Sequence, residues 1–439
     1  MRESKWYSLD NSSKIFPSTT ADKRRNTFFI CAVLKEKIEQ DVMEQAINEV
    51  LLRFPSFKVK LKRGVFWYYL EENLKRFRIK EENPNFLQDF NEQENNDYLF
   101  KASVYEEKLT LTFFHAITDG NGGLEFLKAV VFEYLVLRGY PVKADGLIKS
   151  IDSPSTNAEV EDTSIKVTNK NDEPLKIKEK KAFKSYGTPF DYDGQGVVIG
   201  AIKIEELKKI TKEKGVTITA YLTAVLLDSI YKAFIKGRNL KNKKATVFIP
   251  VNLRRWFGSE SLRNFLGYVR IMHDYEKEIS FEEILEYTKM QMAEKLEPEY
   301  MKKLIAGNVK IEQNFLLRIT PLFVKDLAIK LVYSKVGDVL HTSNLSNLGE
   351  VKLPKSVSEH IEDIFFILDT GDSTKTNVSV VGFGDHINIA FARFIVETNL
   401  EKYFFRHLSG LGLNIKLISN YWEKRLWNIV KDVSYRLIR

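Results

Sequence analysis

Hydrophobic and polar positions along the first part of the chain predict alternating strands and helices. Residues 27–35 form an apolar run typical of a buried strand, and residues 57–63 alternate with the period of two of a half-buried strand. Between these strands, Asp41 can cap a helix whose apolar residues share one face. The pattern then predicts a hairpin of two strands followed by a helix, at 99–105, 108–114 and 124–137.

The alternation resumes after a polar interruption. Residues 149–185 are rich in Ser, Thr, Asn, Asp, Glu and Lys, which bury too little apolar area to offset the entropy of ordering. We therefore divide the chain into an N-terminal half (1–148), a polar linker (149–185) and a C-terminal half (186–439). In the C-terminal half a charged helix is predicted from Glu205 and an apolar helix at 217–234. Strands are predicted at 196–204, 245–251, 268–273, 340–345, 364–368, 377–381 and 387–393.

The end of the chain has the pattern of a basic amphipathic helix. Within residues 414–439 the apolar positions recur at helical spacing and Lys and Arg occupy the remaining positions. These apolar positions are Ile415, Ile418, Trp422, Leu426, Ile429, Val433 and Leu437. Such a helix either packs on the body of the protein or lies on an anionic membrane surface, and the sequence leaves both alternatives open.

Composition narrows the class of protein. The chain has 439 residues, of which 44% are hydrophobic, with only 22 Gly and 11 Pro, so it can bury a sizeable core and is not collagen-like or globally disordered. Because Cys31 is the only cysteine, an intramolecular disulfide and a multi-cysteine metal site are excluded. The N-terminus is polar where a secretory signal is apolar, and no apolar run of membrane-spanning length is evident. We expect a cytoplasmic monomer.

The net charge gives a modest preference for anionic ligands. The charge of +8 arises from 67 basic and 59 acidic residues, so most charges belong to ordinary solvated surface. Nucleic acid is one possible anion, but the sequence has none of the common DNA- or RNA-binding motifs, and we expect no nucleic-acid partner.

One segment, LTLTFFHAITDGNGG at 109–123, concentrates the candidate chemistry. An apolar strand delivers His115 to its end, and Asp119 and Gly120 follow four and five residues later, before further glycines that we expect to prevent easy continuation as strand or helix. A tight turn here would let the Asp119 carboxylate brace backbone amides or a cation, and would hold His115 as a candidate base. The alternatives are an ordinary strand-end histidine and turn, or a metal site, which would need a further ligand that the sequence does not indicate. We expect no metal.

Residues 114–120, FHAITDG, resemble the H-H-x-x-x-D-G motif of the CoA-dependent acyltransferase superfamily with the chloramphenicol-acetyltransferase-like fold, which includes alcohol acetyltransferases and condensation domains. In that motif the second histidine is catalytic, and it corresponds to His115. This chain departs from the motif because Phe114 replaces the first histidine. Length and motifs are most similar to the alcohol acetyltransferases.

Two later segments extend the resemblance. FIPVNLRR at 248–255, followed by NFLG, is similar to the strand and loop whose arginine pairs with the motif aspartate, which implies that Arg254, or alternatively Arg255, holds Asp119. TSNLSNLG at 342–349 resembles a strand that lines the active-site tunnel. This similarity implies Asn347, Ser346 or Ser343 as a tunnel-lining residue and oxyanion donor.

The resemblance implies an α/β fold of two similar halves, each a mixed sheet flanked by helices, with a tunnel between them. It also implies an acyltransferase that moves an acyl group, most simply acetyl, from acyl-CoA to the hydroxyl of a small or lipid-like alcohol. His115 would act as general base without a covalent intermediate, and Asp119, Gly120 and Arg254 would be structural. Acyl-CoA is then a co-substrate, and no bound cofactor is expected. Two alternatives remain, a condensation-type enzyme that uses carrier-bound donors and a non-catalytic binding relative.

Overall fold

The computed structural model describes residues 5–21, 24–81, 95–169, 171–175, 180–190, 194–333 and 338–420. The strands within these ranges are β1 (Trp6–Ser8), β2 (Thr27–Leu34), β3 (Val59–Arg63), β4 (Tyr68–Glu72), β5 (Lys80–Glu81), β6 (Phe100–Tyr105), β7 (Lys108–Phe114), β8 (Gly196–Lys203), β9 (Lys244–Asn252), β10 (Leu266–Asp274), β11 (Ser343–Glu350), β12 (Ile361–Leu368), β13 (Thr376–Phe383), β14 (His386–Arg393) and β15 (Ile415–Ser419).

The helices are α1 (Phe16–Thr19), α2 (Gln40–Arg53), α3 (Gly120–Leu137), α4 (Thr163–Lys166), α5 (Ile204–Glu213), α6 (Ile218–Ile230), α7 (Arg254–Phe257), α8 (Phe281–Lys295), α9 (Pro298–Gln313), α10 (Phe315–Ile319), α11 (Leu322–Val332), α12 (Lys355–Ser358) and α13 (Asn399–Gly410). Short 3-10 helices lie at Ser13–Ile15, Asn157–Glu159 and Asp338–Leu340, and a π-helical turn, Tyr231–Ile235, continues α6.

A five-stranded mixed sheet, in the order β12-β2-β7-β6-β5, forms the N-terminal half. β2 and β7 are antiparallel with Thr27 opposite Phe114, so the chain leaves the sheet at His115. Helices α2 and α3 pack together against one face of this sheet. Aromatic side chains fill the space between them, including the stacked rings of Phe57 and Phe126, and they fix the end of β7 on a rigid base.

A seven-stranded sheet, in the order β10-β9-β11-β13-β14-β8-β15, forms the C-terminal half. It is mixed because β11 runs parallel to both of its neighbours, whereas the other pairs are antiparallel. The apolar helix predicted at 217–234 is present as α6 and its π-helical extension. Ile218–Ile235 is long and apolar enough to cross a membrane by length and composition, contrary to our reading of the sequence, but 83% of it is buried. Burial of this extent is typical of a core helix.

The C-terminal half contributes one strand to the N-terminal sheet. β12 lies between β11 and β13 of the C-terminal sheet in sequence, yet it pairs antiparallel with β2, and Phe365 lies opposite Cys31. The free face of the N-terminal sheet then packs on the C-terminal sheet through a small apolar cluster that includes Phe29, Ile367 and Ala390. The sheets of the two halves are therefore joined by backbone pairing as well as by side-chain packing.

The predicted linker contacts both halves at Glu159. Glu159 is buried and its carboxylate pairs with Arg53 of α2 at 2.7 Å and with Lys149 at 2.7 Å. The carbonyl of Glu159 accepts a hydrogen bond from the amide of Leu262 at 2.8 Å. This segment connects the two halves physically as well as in sequence. The domain boundaries themselves stay a prediction.

The prediction of a helix across 414–439 is wrong for the first residues of this segment. Residues Ile415–Ser419 form β15, which pairs with the edge of β8. Ile415 packs into the core of the C-terminal half, and Ile418 packs on the opposite side, against the cluster between the sheets. Hydrogen bonding to the β8 edge overrides the helical spacing of the apolar residues. Residues 421–439 lie outside the described residues, so the remainder of the predicted helix stays a prediction.

Candidate active site

His115 is the first residue after β7, where its backbone is held on both sides. Its amide donates to the carbonyl of Asn26 at 2.9 Å, and its carbonyl accepts from Nδ2 of Asn264 at 2.8 Å. The imidazole is half-buried and packs against the rings of Phe16 and Phe28, with centroid distances of 5.1 and 4.7 Å. These contacts restrict the orientation of the imidazole while part of it stays accessible.

The environment of this imidazole favours its neutral form. Burial lowers the pKa of His115 to about 4, and the negative charge of Asp119 and hydrogen bonds with Asn264 and Thr118 oppose this shift only in part. Nδ1 is buried and has no hydrogen-bond partner among the described residues. A neutral imidazole can accept a proton from a bound ligand.

Asp119 caps helix α3 and is completely buried. Its Oδ1 accepts hydrogen bonds from the amides of Asn121 at 3.1 Å and Gly122 at 3.0 Å, and its Oδ2 accepts from the amide of Phe265 at 3.1 Å. Arg254 adds an ion pair, with Nη1 at 2.8 Å from Oδ2 and Nη2 at 3.0 Å from Oδ1. The carboxylate thus joins the two halves of the molecule.

Arg254 is also held by its own half. Nε donates to the carbonyl of Ser261 at 2.7 Å and Nη2 to the carbonyl of Arg263 at 2.6 Å. Arg255, the alternative partner of Asp119, is exposed on α7. Of the two candidates, the structure brings Arg254 to Asp119.

The glycines after Asp119 do not break the helix, contrary to our expectation, because α3 begins at Gly120. The Asp119 cap satisfies the first amides of the helix, which offsets the low helix propensity of glycine. The absence of side chains permits close packing instead. A Cβ at Gly120 would lie 2.6 Å from Cδ2 of Leu348, and a Cβ at Gly122 would lie 2.1 Å from the carbonyl oxygen of Leu262. The start of α3 is therefore pressed against the C-terminal half.

Asn264 and Asp10 belong to this arrangement, although sequence reasoning gave them no role. Nδ2 of Asn264, besides contacting His115, lies 3.3 Å from Oδ2 of the fully buried Asp10. Asp10 also accepts from the amide of Ser13 at 2.8 Å and lies 3.6 Å from Nη2 of Arg263. The NFLG segment indicated the loop that contains Asn264, but nothing in the sequence near Asp10 indicated a partner more than 250 residues away.

The three candidates on β11 do not share one face. Leu345 lies in the C-terminal core, and Asn347, two residues later, donates from Nδ2 to Oγ1 of Thr219 at 3.0 Å. Ser343 lies on this same face of the strand, and its hydroxyl donates to the carbonyl of Thr376 at 2.7 Å. Asn347 and Ser343 are therefore engaged within the C-terminal half.

Ser346 lies on the opposite face of β11. It pairs with Ser379, whose hydroxyl donates to the carbonyl of Phe366 in the N-terminal sheet at 2.6 Å. Leu348, two residues after Ser346, packs on Gly120. Of the three candidates, Ser346 is thus the one on the side that faces the His115 turn.

Two cavities lie away from this turn. One of about 630 Å³ is lined by residues that include Val351, Phe383 and His386, and another of about 620 Å³ lies between Pro174 and Leu317. The tunnel implied by the resemblance remains a prediction. Among the described residues there is no group of three His, Cys, Asp or Glu side chains that could hold a metal ion.

Comparisons with known proteins agree with this architecture. Residues 166–382 match the alcohol acetyltransferase family. A comparison with curated proteins finds no significant match. Among solved structures, trichothecene 15-O-acetyltransferase from Fusarium sporotrichioides is 11% identical with a TM-score of 0.57, covering 92% of this chain and 93% of that one.

Two further structures have the same fold. Polyketide synthase associated protein 5 from Mycobacterium tuberculosis is 14% identical with a TM-score of 0.57, covering 92% of this chain and 98% of that one. A starter condensation domain of rhizomide synthetase, solved in complex with C8-CoA, is 11% identical with a TM-score of 0.58, covering 93% of this chain and 94% of that one. At these identities the likeness shows the fold. Together with the match over residues 166–382, it confirms the resemblance recognised from the motifs: this chain has the fold of CoA-dependent acyltransferases and condensation domains and is similar to the alcohol acetyltransferases.

Proposed function

We propose that this protein transfers an acyl group from acyl-CoA to the hydroxyl of an alcohol, with His115 as general base and without a covalent acyl-enzyme. The observation that carries the proposal is the half-buried imidazole at the end of β7, whose pKa is lowered to about 4 by burial and which is held by its backbone and by two aromatic rings. The match to the alcohol acetyltransferase family supports the alcohol acceptor.

The chemistry needs a base that acts during the attack. An alcohol hydroxyl is too weak an acid to be ionised beforehand by imidazole, so its proton passes to Nε2 of His115 as the oxygen bonds to the thioester carbonyl carbon. The C–S bond then breaks, CoA leaves as a thiolate, and the proton on His115 neutralises that thiolate. The products are an ester and free CoA.

The tetrahedral intermediate requires a donor to its oxyanion. Ser346 is the candidate on β11 that faces the His115 turn, and a hydroxyl held there can donate a hydrogen bond to the developing charge. Asp119, Gly120 and Arg254 act at a distance from the reacting atoms. They hold the turn against the C-terminal half and so preserve the position of the imidazole.

The test is incubation of the purified protein with a panel of acyl-CoAs and alcohols, in which free thiol and ester are measured together. We expect His115→Ala to lower kcat by about 100-fold or more while the protein stays folded, because general-base catalysis contributes about 10²- to 10⁴-fold. His386→Ala is the matched control, since His386 is half-exposed at the start of β14. It should retain wild-type activity.

Three outcomes would contradict the proposal. Full activity of a folded His115→Ala variant would show that His115 is not the general base. Turnover with acyl groups on a carrier protein but not with acyl-CoA would favour the condensation-type alternative. Binding of acyl-CoA without turnover of any alcohol would favour a non-catalytic relative.

A further inference from the structure

Helix α11 is amphipathic, but its apolar side faces the solvent. Phe323, Leu327 and Leu331 follow one another at intervals of four residues on its outer side and are 66%, 62% and 54% exposed. Two of its three charged residues, Lys325 and Asp326, instead point into the protein, whereas Lys330 is exposed. A helix of a water-soluble protein ordinarily buries its apolar side, so this orientation indicates that α11 has a further partner.

The inward charges fix this orientation. Nζ of Lys325 donates to the carbonyl of Phe66 at 2.8 Å and lies 3.5 Å from the ring centroid of Trp67. Asp326 accepts from the hydroxyl of Ser18 at 2.7 Å and from the hydroxyl of Tyr68 at 3.1 Å. Rotating the helix to hide its apolar side would break these contacts and leave the charges buried without partners. The exposed apolar side is therefore a fixed feature of the fold.

The exposed apolar surface extends over two neighbouring elements. Helix α10 exposes Phe315, Leu316 and Ile319, and with the three α11 residues these form what we call the α10–α11 patch. The turn between β3 and β4 borders it, because the amide of Leu322 donates to the carbonyl of Val65 at 2.8 Å. Val65 is itself 72% exposed. Contiguous apolar surface of this kind marks an interaction site on a folded protein.

The exposed charges of segment 308–333 are all positive, although Asp172 and the exposed Glu173 lie near Lys310. Lys310, Arg318 and Lys330 are exposed. The acidic residues of segment 308–333 turn inward: Asp326 contacts the N-terminal half as described, and Glu312 pairs with Lys14. The outer surface thus combines apolar side chains with cations, which complements an apolar partner that carries negative charge.

The positive charge at the patch distinguishes between three possible binding partners: a second copy of the protein, segment 421–439 and a lipid bilayer. A second copy docked symmetrically would bring the same cations together from both chains. Segment 421–439 has apolar residues but is itself basic, with Lys424, Arg425, Lys431, Arg436 and Arg439 against Glu423 and Asp432. An anionic lipid bilayer offers both an apolar interior and negative headgroups.

We propose that the α10–α11 patch docks this protein on an anionic membrane surface, with its apolar side chains at the headgroup boundary and Lys310, Arg318 and Lys330 on the phosphates. The docked surface is close to the candidate active site. Helix α11 packs on α1, whose Phe16 ring stacks on the imidazole of His115. The docking itself does not depend on catalysis.

The test is flotation of the full-length protein with phosphatidylcholine vesicles, with and without phosphatidylserine. We expect the wild type to bind the phosphatidylserine vesicles. The variant F323S/L327S/L331S should bind about 100-fold more weakly, because each side chain contributes apolar area at the interface. The variant K310E/R318E/K330E should lose at least about tenfold on phosphatidylserine vesicles. The substitutions lie on exposed positions, and circular dichroism will verify folding.

Two matched variants make the result specific. L52S/L74S/M290S changes residues that are equally exposed but lie outside the patch, and it should bind as the wild type does. W422S/L426S/I429S tests the C-terminal segment as the anchor. The proposal is overturned if F323S/L327S/L331S binds vesicles like the wild type, including the case in which only the C-terminal variant loses binding. It is equally overturned if the wild type does not float, or if it forms a dimer that this variant dissociates.

Discussion

His115 and Asp119 lie four residues apart in the same turn, yet their surroundings differ in nearly every respect. The Asp119 carboxylate receives backbone amides and Arg254 and is sealed from solvent. The His115 imidazole has aromatic neighbours, is only half-buried, and has a buried Nδ1 without a hydrogen-bond partner in the part of the chain that the structure describes. A group whose bonding is saturated can hold structure but cannot exchange protons with a ligand. The contrast separates a residue for stability from a residue for chemistry within one motif.

The largest expected effect is a loss of stability when the buried Asp119 loses its ion pair with Arg254. Arg254→Ala leaves the buried Asp119 carboxylate without its counter-charge and should lower the free energy of unfolding by about 3–5 kcal/mol. Arg255→Ala is the matched control, because it removes an exposed guanidinium one residue away and should change stability by at most about 0.5 kcal/mol. Urea denaturation measures both variants. Equal stability of the two would show that Asp119 does not depend on Arg254.

The next largest effect is expected at Ser346, which we compare with its neighbour Asn347 on β11. Ser346→Ala should lower kcat by about 10²-fold with little change in stability, because it removes a donor on the side of the His115 turn. Asn347→Ala should instead cost about 1 kcal/mol of stability and leave kcat nearly unchanged, because its amide bonds within the C-terminal half. Steady-state kinetics and thermal melts on both variants test this. The reverse assignment of the two losses would place the oxyanion donor at Asn347.

The smallest effect is the response to pH. Because burial lowers the pKa of His115 to about 4 from an ordinary value of 6.5, the neutral base is populated throughout the neutral and weakly acidic range. We expect kcat/KM to vary by less than about twofold between pH 7 and pH 5, and to fall only as pH approaches 4. A decline centred near pH 6.5 would mean that the ring is solvated in the free enzyme.

The lowered pKa of His115 also predicts the direction in which protein stability changes with pH. Protonation of His115 is disfavoured in the folded state relative to the unfolded chain, so the contribution of this group to stability is complete above about pH 6.5. It is lost as pH falls towards 4. His115→Ala should therefore lessen the loss of stability of the protein between these two pH values, which thermal melts across this range would measure.

Local sequence patterns were enough to predict much of the secondary structure and the location of the candidate catalytic residue. The strand predicted at 27–35 is present at Thr27–Leu34, and the hairpin that ends before His115 lies within one residue of its predicted bounds. These elements were accessible because alternation of apolar side chains and turn residues act over a few neighbouring positions. The motif residues were likewise recognisable because they are close together in the chain.

Tertiary structure decided what depends on contacts between distant segments. The pairing of β12 with β2, the contact of Asn264 with Asp10 and the face on which Ser346 lies all arise from residues far apart in sequence. Periodicity shows that a strand has two faces but not which of them meets the other half. The strand at Ile415–Ser419 and the outward apolar side of α11 even run against the local pattern, because an unpaired sheet edge and buried partners for Lys325 and Asp326 outweighed it.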